Sequence, residues 1–93
     1  MKYKILKKDP MFRNDKDLFQ LGRRDGNTKR NFLFLSKWIG KHLECKPSDF
    51  TKIVTELSKK INTDSLQNAM CIGFAETATG IGMAIADQLM LPY

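Results

Sequence analysis

The clearest hydrophobic pattern lies in the second half of the chain. Phe50, Ile53, Val54, Leu57 and Ile61 recur at helical spacing, while Lys52, Glu56, Lys59 and Lys60 fill the opposite side. Intervals of three and four residues predict an amphipathic helix over residues 48–61, with one apolar stripe turned to a core. Ser48 follows Pro47 and is positioned as the N-cap, where a hydroxyl satisfies one of the free N–H groups of the first turn. Asn62, Thr63 and Asp64 end the pattern. Residues 69–74 are short and apolar and run directly into Gly- and Thr-rich sequence, as a buried parallel strand does before a functional loop. Ile81, Ala84, Ile85 and Leu89 then return to helical spacing, which predicts a helix over residues 80–90. The unit over residues 69–90 is strand, loop, helix.

The first half is less periodic. Tyr3 to Ile5 alternate too briefly to make an element, and Lys7, Lys8, Asp9 and Pro10 interrupt them, so residues 1–17 read as a loosely held arm. Residues 17–21 suit a short strand or a turn of helix. Gly22, Asp25, Gly26 and Asn27 mark residues 22–28 as a loop. Phe32, Leu35, Ile39 and Leu43 fit a helix, whereas the Phe-Leu-Phe-Leu run fits a strand. The reading adopted is an extended entry that turns at Gly40. Phe32, Phe34 and Trp38 are expected in the core, with Met70, Met83 and Met90 as fillers.

Composition bounds this picture. Ninety-three residues, 42% hydrophobic and 28% charged, allow one small domain and exclude a polar disordered tail. The longest apolar stretches, 32–35 and 69–74, fall far short of the roughly 18 residues of a membrane span. Met1-Lys2-Tyr3-Lys4 opens no secretory signal, and a cytoplasmic location is expected. In that compartment Cys45 and Cys71 are expected as thiols, and neither has a partner at zinc-ligand spacing, so no metal site is expected. Charge is distributed unevenly. Residues 1–46 hold 13 Lys and Arg against 5 Asp and Glu, or +8, while residues 47–93 hold 3 against 5, or −2. The basic half points to an anionic partner, either nucleic acid or a phosphorylated small molecule.

The candidate chemistry sits at Gly73-Phe74-Ala75-Glu76-Thr77-Ala78-Thr79-Gly80-Ile81-Gly82. Small side chains let a ligand reach the backbone, and the first N–H groups of a helix are positively polarised, which suits phosphate. Thr77 and Thr79 add hydroxyls, and Gly80 and Gly82 are expected to hold the helix start close to strand and ligand. The end of this stretch is similar to a dinucleotide fingerprint, but Glu76 stands where that pattern needs its first glycine. A P-loop needs Lys after its last Gly, and Met83 occupies that position.

A third assignment fits better. The segment 69–89 resembles the first core strand, pyrophosphate loop and helix of type I phosphoribosyltransferases. Lys29-Arg30-Asn31-Phe32-Leu33-Phe34, the turn Gly40-Lys41-His42, and residues 73–82 look like the phosphoribosyltransferase-like family of tellurium-resistance and stress-response gene clusters, related to the orotate enzymes. The resemblance implies an α/β fold, a partial type I phosphoribosyltransferase (Rossmann-like) fold in which one strand–loop–helix unit follows an amphipathic helix. It implies transfer of ribose 5-phosphate from phosphoribosyl pyrophosphate to a nitrogen nucleophile, with Mg²⁺ held largely by the pyrophosphate. Ala75, Glu76, Thr77, Ala78, Thr79 and Gly80 would then bind pyrophosphate, with Glu76 holding the loop or a metal-bound water. Lys29, Arg30, Lys41 and His42 are candidates for steering an anionic substrate.

The chain departs from that family in one respect. Type I enzymes carry a strand ending in two adjacent acidic residues, followed by a Thr- and Gly-rich loop for the ribose 5-phosphate, and no two acidic residues are adjacent in this sequence. The expectation is a single, incomplete domain, with residues 1–28 as basic arm and loop and 29–93 as core, inactive alone. A lone strand at 69–74 leaves both edges unpaired. Residues 17–21, residues 32–35, a second copy, or a missing C-terminal half are the candidates to cover it. The rival readings are a basic nucleic-acid-binding module and an assembly module without enzymatic activity.

Overall fold

A computed structural model describes residues 2–12 and 14–93. In the first of two units, Met1–Cys45, the regular structure is a β-hairpin. Asn14 accepts the Lys16 N–H at 3.0 Å and so caps a 3-10 turn over Asp15–Asp17, which leads into β1 (Phe19–Arg23). β2 (Phe32–Ser36) pairs antiparallel with β1, with Phe19 opposite Ser36 and Arg23 opposite Phe32. The extended reading of the Phe-Leu-Phe-Leu run therefore holds. The loop expected from residue 22 starts later, because Gly22 and Arg23 lie inside β1. Between the strands, the Asn27 side chain accepts the N–H groups of Lys29 at 3.2 Å and Arg30 at 2.9 Å, and Gly26 takes φ +79°. The turn read at Gly40 is present, with Gly40 at φ +69° and His42 at φ +67°.

Alternation along the hairpin separates two faces. Phe19, Leu21, Phe32 and Phe34 share one, on which Tyr3 lies edge-on to Phe19 at 5.6 Å and to Phe34 at 6.1 Å. The Tyr3 hydroxyl donates to the Asp15 carboxylate, and Phe12 lies edge-on to Trp38 at 5.3 Å, so the arm is held to the hairpin by its aromatic side chains. The Tyr3–Asp15 bond raises the Tyr3 pKa above the usual phenol value and holds Asp15 below the usual carboxylate value. Trp38 reaches back through its indole N–H to the Asp17 carbonyl at 2.9 Å. The expected aromatic core is only half-formed, since Trp38 and Phe32 are half-buried and Phe34 is 50% exposed. Two strands have too little surface to enclose side chains of this size.

The second unit, Lys46–Tyr93, is built on two helices. α1 (Pro47–Lys59) is the predicted amphipathic helix, with Ile53, Val54 and Ser58 buried. Its start corrects the expected Ser48 cap: Lys46 is the N-cap and Pro47 the first helical residue. Proline suits that position because its φ is preset and its missing N–H would have been unpaired there. The helix also ends at Lys59, leaving Ile61 outside and 37% exposed. α2 (Thr77–Gln88) packs on α1, burying Gly82 and Ala86, and Gln88 donates to the Thr55 hydroxyl at 3.0 Å. Among the described residues only Ile53, Val54 and Ala86 are buried apolar side chains, all of them here.

Residues 69–74 are not the buried strand that the sequence predicts. They form no strand, because β1 and β2 pair only with each other. The same-chain candidates at 17–21 and 32–35 supply no strand partner to them, since their strand residues belong to the β1–β2 pair. One side is tied down by the Cys71 N–H, which donates to the Pro92 carbonyl at 2.9 Å, while Met70, Ile72 and Phe74 point outward at 62%, 70% and 83% exposure. Met83 and Met90 are exposed too, so the three methionines expected as core fillers lie on the surface. An apolar run is buried only where the fold supplies a second layer.

Candidate functional site

The helix start redraws the expected loop. α2 begins at Thr77, so Thr77, Ala78, Thr79 and Gly80 form its first turn, and only Gly73, Phe74, Ala75 and Glu76 precede it. Glu76 is the N-cap residue, with helical backbone and no side-chain capping bond, and the Ala75–Glu76 peptide is cis. The Ala78 N–H donates to the Phe74 carbonyl at 3.1 Å and the Thr79 N–H to the Glu76 carbonyl at 3.2 Å. Those two donors are spent within the turn. What the turn presents outward are the exposed residues Glu76, Thr77, Thr79 and Gly80.

Tyr93 supports this turn from behind. Its hydroxyl donates to the Thr79 carbonyl at 2.9 Å, and its ring covers both Gly73 and Gly82. A Cβ on Gly73 would run into the Tyr93 hydroxyl oxygen and come within 2.7 Å of the Ala78 carbonyl oxygen. A Cβ on Gly82 would meet the Tyr93 ring at 3.0 Å and the Gly73 Cα at 3.2 Å. Gly82 thus performs the expected close approach between helix and preceding segment. Gly80 does not, because a Cβ there has nothing within 4 Å. The helix start is closed on its Gly82 side by Tyr93 and open on its Gly80 side. Sequence reasoning missed Tyr93, which has neither periodicity nor a motif around it.

The candidate anion-steering residues lie in the first unit. Arg30 and His42 line one shallow cleft on the hairpin, where Arg23, Arg24, Asp25, Gly22, Leu33 and Leu35 join them. Lys29 and Lys41 do not line that cleft. Arg23 and Arg24 were not singled out from sequence, although the basic excess of the first half includes them.

Among the described residues, no three His, Cys, Asp or Glu side chains come together as a cation site. No helix is long and apolar enough to cross a membrane. The model of a protein family described as phosphoribosyl transferase matches residues 18–92, which include β1, β2, both helices and the turn before α2. No curated protein and no solved structure matches the chain.

Proposed function

The chain belongs to the phosphoribosyl transferase family, and from that premise we propose that the turn at Ala75, Glu76, Thr77, Ala78, Thr79 and Gly80 binds the pyrophosphate group of phosphoribosyl pyrophosphate. The observation that carries the reading is the asymmetry of the helix start, which is covered by Tyr93 at Gly82 and open at Gly80, beside the exposed Thr77 and Thr79. A helix interior glycine costs about 1 kcal/mol relative to alanine. Gly80 supports no packing that would offset this cost, and room for a ligand accounts for it. The Thr77 and Thr79 hydroxyls donate to phosphate oxygens, and the positive end of α2 favours their charge. The fold this reading implies is of type I phosphoribosyltransferase (Rossmann-like) form, although residues 69–74 form no strand in this chain.

Mg²⁺ would come with the pyrophosphate, since the described residues assemble no cation site of their own. Its contribution when bound is charge neutralisation on the leaving group, and no step here depends on it. The contribution of this chain is positioning and hydrogen bonding. Because the 93 residues hold no adjacent acidic pair to grip the ribose 5-phosphate, the chain by itself binds without turning over. Cytoplasmic residence belongs to the same reading, as phosphorylated metabolites and free thiols such as Cys45 and Cys71 share that compartment.

Calorimetric titration of pyrophosphate and phosphoribosyl pyrophosphate tests the reading. The Thr77→Val, Thr79→Val double variant should bind at least tenfold more weakly, since two hydrogen bonds to a charged group contribute about 1.5 kcal/mol or more each. Gly80→Ala should raise stability by roughly 0.5–1 kcal/mol and still weaken binding, because its methyl fills the open side. Equal binding by all three proteins sinks the assignment. Release of pyrophosphate from phosphoribosyl pyrophosphate by the purified chain sinks the claim of inactivity.

A second reading, self-assembly through residues 69–74, is favoured by the outward row of Met70, Ile72 and Phe74. Met83 and Met90 are exposed apolar side chains of the same unit. A stable interface buries about 800 Å² per partner. The surrounding residues 47–93 carry only −2, so two copies repel weakly there. Sedimentation should show a concentration-dependent dimer that Ile72→Lys shifts to monomer. A strictly monomeric wild type removes this reading.

A further inference from the structure

The second face of the hairpin carries a site that shares no residue with the helix start. Gly22 has no side chain, so its cross-strand neighbour Leu33, with Leu35, forms an apolar floor, and Arg23, Arg24, Asp25, Arg30 and His42 stand around it. The one carboxylate on this rim, Asp25, is paired to Arg23 at 3.6 Å, and both of those side chains are at least 90% exposed. Arg24 differs from Arg23 in being half-buried. Among the described residues, neither the Arg24 nor the Arg30 guanidinium, nor the His42 imidazole, has a hydrogen-bond or ion-pair partner.

Two cations gathered beside an apolar floor, one of them partly withdrawn from water, favour an anion that supplies the missing hydrogen bonds. The planar guanidinium fork matches two oxygens of one phosphate. The residues are held in place by the backbone: Arg24 donates its N–H to the Asn31 carbonyl at 2.8 Å, Asn27 fixes the Arg30 amide, and the Gly40 to His42 turn sets His42 at the rim. We propose that this cleft binds the phosphate of a small phosphomonoester, with Arg24 and Arg30 on the phosphate oxygens and an apolar or planar body over Leu33 and Leu35. A small molecule fits better than a nucleic-acid strand. The rings on which bases would stack, Phe32 and Phe34, lie on the other face of the hairpin, where Phe34 meets Tyr3. This site stands or falls independently of the pyrophosphate reading.

Amide and side-chain NMR titrations of the full chain with inorganic phosphate and phenyl phosphate, at low ionic strength, test it. Shifts should concentrate at Arg24, Arg30 and His42, and phenyl phosphate should bind more tightly than phosphate because of the floor. Arg24→Gln and Arg30→Gln should each weaken binding about tenfold, and Arg24→Lys should recover only part of the loss. Arg30 is exposed, so Arg30→Gln decides the matter if Arg24→Gln perturbs the fold. In the Thr77→Val, Thr79→Val variant the shifts at Arg24, Arg30 and His42 should saturate at the same phenyl phosphate concentration as in wild type. Shifts confined to residues 76–80, unchanged affinity in Arg30→Gln, or a single-stranded oligonucleotide that binds the same residues more tightly than phenyl phosphate would each overturn the proposal.

Discussion

Replacing Gly73 by alanine is expected to lower the stability of the second unit by about 3 kcal/mol, at the upper end of what overpacking costs. The added methyl meets two obstacles, the Tyr93 hydroxyl oxygen and, at 2.7 Å, the Ala78 carbonyl oxygen. The first belongs to a side chain that can move, at the cost of its bond to the Thr79 carbonyl. The second is helical backbone and cannot shift without displacing the start of α2. Alanine also makes the unfolded chain less flexible, which favours folding by about 0.4–1 kcal/mol, too little to offset the collision. Urea unfolding followed at 222 nm should show a lower midpoint. Adding Tyr93→Ala should recover only part of the loss, since the Ala78 obstacle remains. An unchanged midpoint in Gly73→Ala would mean that Tyr93 and the helix start are not arranged as described.

Val54→Asp is expected to abolish the helical signal of the second unit. Val54 is 2% exposed, and with Ile53 and Ala86 it makes up the buried apolar set among the described residues. A carboxylate there loses its hydration without gaining a partner, at a cost above about 4 kcal/mol. A unit of 48 residues has only about 2–7 kcal/mol to lose. Val54→Ala, which removes two methyl groups, should cost about 1–2 kcal/mol and leave a weakened but cooperative transition. Circular dichroism and thermal melts distinguish these outcomes. A folded Val54→Asp protein with wild-type ellipticity would contradict the burial of α1 against α2.

The elements that could be read from sequence are those whose signal is local. The apolar stripe through Ile53, Val54 and Leu57 specifies α1 by itself, because a 3.6-residue period with Lys and Glu opposite fits no strand. Pro47 then moved the start by one residue. For Phe32–Ser36 the local pattern suits helix and strand equally, and pairing with β1 decided between them. The small-residue turn before α2 was visible as composition. Its boundary was not, because Thr77, Thr79 and Gly80 have weak helix propensity and yet begin the helix. The two candidate sites differ in the same way. Residues 75–80 are contiguous and stand out as a motif, whereas Arg24, Arg30 and His42 come together only through the hairpin and the turn at Gly40.

The sequence alone therefore determined one amphipathic helix, the position of the small-residue turn and the basic bias of the first half. Each depends on neighbours within a few residues. The tertiary structure decided what lies across space. It put Tyr93 behind Gly73 and Gly82, left Gly80 open, and gathered Arg24, Arg30 and His42 on one rim. It also left Met70, Ile72 and Phe74 facing outward, although their pattern reads as core. Hydrophobicity states what a segment gains by burial, and only the rest of the fold determines whether a surface is there to bury it.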